Sequence, residues 1–251
     1  MALDGAQFSQ VSDFYDLLYE DKDYPSEVTY VADVLARYGV HNGDILEFGS
    51  GTGRHGRLLV ERGYSVFGIE QSAGMVARAV QTPGFTCSVG DICSAETSRR
   101  FSAVIALFHV MSYITDNDRL SKVFANAGRH LEAGGLFFFD VWYTPAVLSE
   151  KPEVRVKRVS TDTLDIVRLA EPEMHVNQNL VDVSYTLLVT EKSSNHTSTI
   201  YEKHTLRHYT IPELDYHAEV AGFQRVLSEE FLSRKLPGID TWGVALLYQK
   251  V

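Results

Sequence analysis

The sequence predicts an α/β fold: a seven-stranded, mostly parallel sheet with helices on its faces and an inserted antiparallel β layer. Three observations predict it. Strand and helix patterns alternate over the first half of the chain; a glycine-spaced turn, Gly49-Ser50-Gly51-Thr52-Gly53, follows the first strand; and from Val154 to Tyr209 the pattern becomes a succession of strands. Repeated β-α units of this length imply right-handed crossovers, and so helices on both faces of a parallel sheet.

The first strand reads as Asp44–Phe48, followed by the glycines and a helix to about Arg62. Tyr64–Ile69 is the second strand, and Ser72 is a natural N-cap for a helix through Val80. Phe85–Val89, Ala103–Phe108 and Leu136–Val141 are the next strands. Between the last two, an amphipathic helix spans Asp118–Leu131 and is ended by Gly134-Gly135. The later strands read as Leu164–Leu169, Met174–Asn179, Val181–Thr190 and Thr199–Tyr209, with few clear hairpin turns between them. A helix over Ile211–Ala221 carries Pro212 in its first turn, and the strands Gln224–Ser228 and Trp242–Gln249 close the chain. No linker or repeat divides residues 1–251, which read as a single domain. Residues 1–40 are expected to form a helical lid, and 150–210 the antiparallel insertion over the active site.

A chain of 251 residues, 45% apolar and 22% charged, is ordinary globular composition. A formal charge of −10 argues against a phosphate backbone as partner and favours a small molecule. Cys87 and Cys93 fall in or beside strands, where a thiol acts as a small apolar group. Met1 to Gln10 lacks the pattern of a signal peptide and no apolar run spans a membrane, so the expected location is the cytoplasm.

Function is most legible in Ile45-Leu46-Glu47-Phe48-Gly49-Ser50-Gly51-Thr52-Gly53, a strand that runs through a carboxylate into a turn with alternating glycines. Glycine permits positive φ and close approach of a ligand to backbone, and the following helix offers free N–H groups. Gly51-x-Gly53-x-x-Gly56 also satisfies the dinucleotide pattern, whose first glycine should lie directly at the strand end. Gly49 holds that place, and Glu47 suits a ligand with an ammonium and a sulfonium better than a pyrophosphate. The expected cofactor is therefore S-adenosyl-L-methionine. Glu70, ending the second strand, is placed to accept from a ribose diol, with a helix-terminal acid as the alternative. Asp91 is placed to accept from the adenine amine or simply to cap, with Ile92 packing on the ring.

The motifs Glu47-x-Gly49-x-Gly51-x-Gly53, Glu70 and Gly90-Asp91-Ile92 resemble the class I, Rossmann-like methyltransferase superfamily over residues 44 to 141. A wider resemblance rests on Phe14-Tyr15-Asp16-x-x-Tyr19, Lys22-Asp23-Tyr24, Gly51-Thr52-Gly53-x-His55, Trp142 and the antiparallel segment. These are similar to bacterial dTDP-3-amino-3,6-dideoxyhexose N,N-dimethyltransferases. In that family a histidine stands near the place of Tyr113. The resemblance implies that Tyr15 and Tyr24 cover the donor, and that His55, Gln71, Met75 and Leu107 complete its site.

Ligands of open α/β sheets bind at the carboxyl ends of the strands. His109 and Tyr113 follow the fourth strand and are expected, with Tyr15, to face the transferred methyl group; a structural role for His109 is the alternative. Trp142, Tyr185 and Arg207 are the expected acceptor contacts, Arg207 pairing with a phosphate or lying on a solvated strand face. No His/Asp/Glu spacing suggests a metal. An amine needs only a weak base to expose its lone pair, whereas a hydroxyl needs a stronger one. N-methylation of an aminosugar nucleotide is therefore expected ahead of O-methylation. Nicotinamide chemistry and non-catalytic donor binding are the readings from other classes. Oligomeric state stays open.

Overall fold

The computed structural model describes residues 11–251. A 3-10 turn, Val11–Asp13, precedes α1 (Tyr15–Leu18) and α2 (Tyr24–Arg37). Asp23 caps α2, its Oδ1 accepting from the Ser26 N–H at 3.0 Å. Residues 1–10 of the expected N-terminal cover lie outside the described residues.

The α/β part contains β1 (Gly43–Phe48), α3 (Arg54–Val60), β2 (Tyr64–Glu70), α4 (Ala73–Arg78), β3 (Phe85–Val89), β4 (Phe101–Ala106), α5 (Asn117–His130) and β5 (Leu131–Trp142). Ser72 caps α4 as expected, its Oγ accepting from the Met75 N–H at 3.3 Å. After a further helix, α6 (Thr144–Glu150), come β6 (Arg155–Ser160), β7 (Leu164–His175), β8 (Leu180–Glu191) and β9 (His196–Arg207). The chain closes with α7 (Ile211–Val220), β10 (Phe223–Glu230) and β11 (Gly243–Lys250).

The main sheet has the order β10-β11-β5-β4-β1-β2-β3. Strands β1 to β5 run parallel, β11 runs against β5, and β10 against β11. Each face buries its own apolar cluster. Leu46, Phe48, Phe124, Phe137, Phe139 and Tyr248 fill one, with α5 and α7 over them. Ile45, Val66, Phe85, Ile105 and Phe138 fill the other, beneath α2 and α3. Alternate residues of β1 and β5 serve opposite clusters, as strand geometry requires. Neighbouring strands leave β1 and β4 in opposite directions, which opens a crevice at their carboxyl ends.

The second sheet is a plain antiparallel meander, β6-β7-β8-β9. It is tied back to the first where the Tyr209 N–H donates to the Trp142 carbonyl at 2.9 Å. A small cluster of Leu18, Ile166, Leu187 and Val189 fastens α1 to this sheet.

Some expected boundaries are corrected. Met174–Asn179 is not a strand: β7 runs unbroken to His175, and residues 176–179 form the turn into β8. Asn179 closes that turn at φ +56° and Asn195 closes the next at φ +54°, a left-handed conformation that asparagine tolerates without glycine's signature in the sequence. Strand β6, with mostly exposed residues, was not expected. Gly134-Gly135 do not end α5; the helix stops at His130 and Leu131 already pairs with Phe101, with the glycines in an irregular stretch of β5. Strand β4 ends at Ala106, two residues short of the expected Phe108.

Cys87 and Cys93 are buried free thiols, and burial pushes the Cys93 thiol up to about 12. Among the described residues no helix is long and apolar enough to cross a membrane.

Candidate active site

One cleft lies at the carboxyl ends of β1, β2 and β4, walled on its far side by β7, β8 and β9. The turn after β1 supplies its floor. Gly49 and Gly51 have φ of +68° and +54°, and both line the cleft. A Cβ on Gly51 would meet nothing within 4 Å, whereas one on Gly49 would stand 2.5 Å from Val110. Gly51 therefore leaves room for a ligand, while Gly49 lets the turn approach the segment after β4. Gly53 lies outside the cleft; it begins α3 at φ +78° and packs against Phe85.

Glu70 reaches into the cleft from the end of β2. Its Oε2 accepts from the Gly51 N–H at 2.9 Å and its Oε1 from the Ser72 N–H at 2.8 Å. Burial raises its carboxyl above the ordinary range against those hydrogen bonds. Gln71, Met75, Ile92 and Leu107 line the same end, the last three offering apolar surface for a planar base. A glycine turn with open space above it, a strand-end carboxylate and an apolar slot fit a nucleoside-bearing donor.

Glu47 and Asp91 depart from expectation. Glu47 is 1% exposed, lies behind the turn outside the cleft wall, and its Oε2 has no hydrogen-bond partner among the described residues. Burial, reinforced by the Glu70 charge, pushes its carboxyl up to about 8. It is mostly protonated at neutral pH, so the attraction for a cationic ligand expected from its charge does not apply. Asp91 is also outside the wall, held by Arg119 through contacts of 3.1 and 3.2 Å and by the Cys93 N–H at 2.9 Å. Burial works against its ionisation, but these partners hold the carboxyl below its ordinary value. It is Arg119 that reaches the cleft.

The N-terminal segment lies along the cleft. Asp16 Oδ1 accepts from Thr52 Oγ1 at 2.9 Å and pairs with Arg54 Nε at 3.1 Å, tying α1 to the glycine turn. Tyr15 and Tyr24 line the cleft, and burial raises both phenols, Tyr24 to about 12. His55 also lines it, but its Nε2 is engaged by Glu27 at 2.7 Å, and the same carboxylate pairs with Lys22.

Beyond β4 the chain makes a sharp bend. Phe108 and His109 are consecutive non-glycine residues at φ of 65° and 61°, a conformation costing about 1–3 kcal/mol each. The bend faces His109 into the cleft. Asp140, 1% exposed on β5, accepts from the His109 backbone N–H at 3.1 Å. The His109 Nδ1 is 2.7 Å from the same oxygen, though off the angle of a hydrogen bond. Burial alone would raise Asp140; the adjoining His109 ring and backbone N–H hold it below its ordinary range.

The opposite wall is aromatic, with Tyr19, Tyr113, Trp142 and Tyr185. Arg168 of β7 lies over the rings of Tyr19 and Tyr185, 5.5 and 5.6 Å from their centroids. Tyr113 Oη lies 2.9 Å from His204 Nδ1, and His204 Nε2 lies 2.9 Å from Glu202 Oε1. Arg207, expected to contact the acceptor, does not line the cleft. It is 8% exposed, ion-paired with Glu213 and bonded to Asn117 Oδ1 at 2.7 Å, so it is neither a phosphate ligand nor on a solvated face.

Asp140, His204, Glu202 and Arg168 were not singled out from the sequence. Asp140 follows Phe137-Phe138-Phe139, and a carboxylate continuing such an apolar run was a usable signal. The other three depend on strand register, which the sequence does not print. Away from the cleft, Glu173, His175 and Asp182 lie close enough to hold a metal, but Asp182 Oδ2 is already occupied by His175 at 2.8 Å and Lys203 at 2.7 Å.

Residues 45–135 match a methyltransferase domain family. The chain is 26% identical over 193 residues to dTDP-3-amino-3,4,6-trideoxy-alpha-D-glucopyranose N,N-dimethyltransferase of Streptomyces venezuelae, covering 76% of this chain and 81% of that one. The solved structure of Streptomyces venezuelae DesVI superposes with a TM-score of 0.80 at 22% identity, over 96% of this chain and 98% of DesVI. The structure of CalS10 with S-adenosylmethionine bound, an amino pentose methyltransferase of Micromonospora echinaspora, superposes at 0.75 and 20% identity, over 92% and 93%. The glycine turn, the strand-end Glu70 and these likenesses converge: the chain is a class I S-adenosylmethionine-dependent methyltransferase that resembles the dTDP-aminosugar N,N-dimethyltransferases.

Proposed function

We propose that the enzyme methylates the amine of a sugar nucleotide of the dTDP-3-amino-3,6-dideoxyhexose type. The observation that carries this reading is the pairing of two cleft imidazoles, His109 and His204, with buried carboxylates, Asp140 and Glu202, opposite the donor turn. Such weak bases suit an amine whose lone pair must be freed near neutral pH. The named relatives are dimethyltransferases of an amino sugar and a methyltransferase of an amino pentose, which supports the same acceptor class.

S-Adenosylmethionine supplies a methyl group already activated on a sulfonium. The protein's task is chiefly alignment, the source of large effective molarities. Gly49, Gly51 and Glu70 hold the donor's polar groups while Met75, Ile92 and Leu107 enclose its base; Gln71 and His55 border that end. Residues 11–40, with Tyr15 and Tyr24, form a cover over the donor, and residues 150–210 supply the acceptor side. Trp142, Tyr185 and Tyr113 receive the sugar, and His109 and Tyr113 flank the nitrogen.

Incubation with S-adenosylmethionine and dTDP-3-amino-3,6-dideoxyglucose, read by mass spectrometry, tests this. Acceptor ions heavier by one and then two methyl groups are expected. Transfer to the matching 3-hydroxy sugar nucleotide and not to the amine overturns the nitrogen assignment.

A further inference from the structure

Tyr113 ends the 3-10 turn after β4 and meets the antiparallel sheet across the cleft. Its hydroxyl is 2.9 Å from His204 Nδ1, and His204 Nε2 is 2.9 Å from Glu202 Oε1. Glu202 and His204 are two residues apart on β9 and so share one side of the strand. Their side chains are 8% and 4% exposed. The Tyr185 ring from β8 stands 5.0 Å from the His204 ring, with Arg168 of β7 behind it. Tyr15 of α1, Tyr19 just after it and Glu70 from β2 are further titratable groups that interact with Tyr113. Two hydrogen bonds in series therefore link a cleft-lining hydroxyl to a buried carboxylate.

We propose that Tyr113, His204 and Glu202 form the route by which the acceptor nitrogen loses its proton. The inference rests on the amine-acceptor reading given above. An acceptor ammonium passes one proton to Tyr113 Oη while the phenol's own proton moves to His204 Nδ1. The freed lone pair then bonds to the methyl carbon as the sulfur–carbon bond breaks, leaving a neutral thioether and a methylated ammonium. Glu202 holds the resulting imidazolium through its Nε2–H, and His204 gives its proton to water before the next transfer. A second methylation repeats the same proton loss from the monomethyl ammonium. Tyr113 is the catalytic residue of the set; His204 and Glu202 act through it and are positioning residues.

Burial and the neighbouring Tyr185, Tyr19, Glu202 and Glu70 hold the Tyr113 phenol well above its ordinary range. A phenolate base is thus not accessible near neutral pH. A shuttle avoids that state, because the phenol gives one proton as it takes another and stays neutral throughout. The network also sets the tautomer: a neutral His204 accepts at Nδ1 and carries its proton at Nε2.

The experiment uses the full chain, S-adenosylmethionine and dTDP-3-amino-3,6-dideoxyglucose. His204→Gln and Tyr113→Phe are each expected to lower kcat by roughly 10²-fold, with KM for the sugar nucleotide within about twofold. The double variant should be no slower than the slower single, because the residues act as one unit. In wild type, kcat should fall as the medium is acidified, and His204→Gln should displace that limb toward higher pH, because the amine must then lose its proton without the relay. Titration of S-adenosylmethionine checks that both variants are folded. If His204→Gln keeps the wild-type kcat and acid limb while His109→Asn changes both, the relay is wrong and His109 is the base. Nitrogen-15 histidine spectra of the ligand-free protein give a reading that needs no acceptor. The Nε2–H tautomer of His204 is expected, and the Nδ1–H tautomer overturns the relay. Failure of the wild type to methylate the sugar nucleotide sinks the acceptor assignment, and the tautomer then decides the relay separately.

Discussion

On the β1–β4 side of the cleft the polar framework is largely main chain: the glycine turn and the N–H groups of Gly51 and Ser72 around Glu70. On the β7–β9 side it is side chain: Arg168, Tyr185, His204 and Glu202, drawn from strands far apart in sequence. Backbone groups serve any ligand with the right local shape, and the donor is the same for every enzyme of this class. Side chains on a strand face can be exchanged singly without disturbing the ladder that carries them. On the acceptor reading proposed above, the first wall fixes what is given, and the second selects what receives it.

The sharpest way to break this contrast is to remove a side chain of the second sheet that only supports it. Arg207→Ala leaves Glu213 partly buried without its partner and is expected to cost about 3–5 kcal/mol in chemical denaturation. Affinity for S-adenosylmethionine should be unchanged where the variant is folded. If Arg207 instead holds a substrate phosphate, KM for the sugar nucleotide rises and stability does not fall. Glu70→Ala attacks the first wall: donor affinity measured by calorimetry should drop roughly 10²-fold, or about 2.7 kcal/mol, for two lost charge-assisted hydrogen bonds.

Glu47 sharpens the comparison through pH. Its folded-state pKa of about 8 exceeds its ordinary value of 4.5, so the folded chain binds this proton more tightly than the unfolded chain. That stabilisation is full below about pH 4.5 and is lost as pH rises through about 8. Glu47→Gln should therefore gain stability over wild type at pH 9 and little at pH 4, measured by thermal unfolding in matched buffers. An equal gain at both would place the carboxylate's ionisation elsewhere. The smallest effect is expected at a hairpin: Asn179→Gly should shift stability by under about 1 kcal/mol, and Asn179→Ala should cost about 1–2 kcal/mol at its positive φ. A neutral alanine would mean that the β7–β8 turn relaxes freely.

The sequence made the parallel half legible because there the chemistry is written in consecutive residues. Gly49, Gly51 and Glu70 sit where a strand end must put them, and Ser72 caps the next helix as a serine should. The same logic misjudged Glu47, since a strand pattern does not say how deeply a carboxylate is buried. For Asp91 the capping alternative holds, through the Cys93 N–H, while its Arg119 partner lies 28 positions on, in α5. In the antiparallel half, turns closed by Asn179 and Asn195 concealed the strand boundaries. With register hidden, Arg207 was expected at the acceptor, although it is held by Glu213 and Asn117 outside the cleft while His204 faces Tyr113. The Tyr113–His204 contact spans 91 positions and has no local signature.

Phe108 and His109, held together in the left-handed region, have an implication for how this enzyme tolerates change. Each residue stores conformational energy that glycine would release, so Phe108→Gly raises the melting temperature where that release exceeds the lost contacts of the Phe108 ring with Tyr19 and Lys22. The same release would let the imidazole wander. Selection for heat resistance alone should accordingly accumulate glycine at this bend and produce sturdier, slower descendants, whereas selection for turnover should resist it. The bend is thus a place where durability and rate pull the lineage in opposite directions.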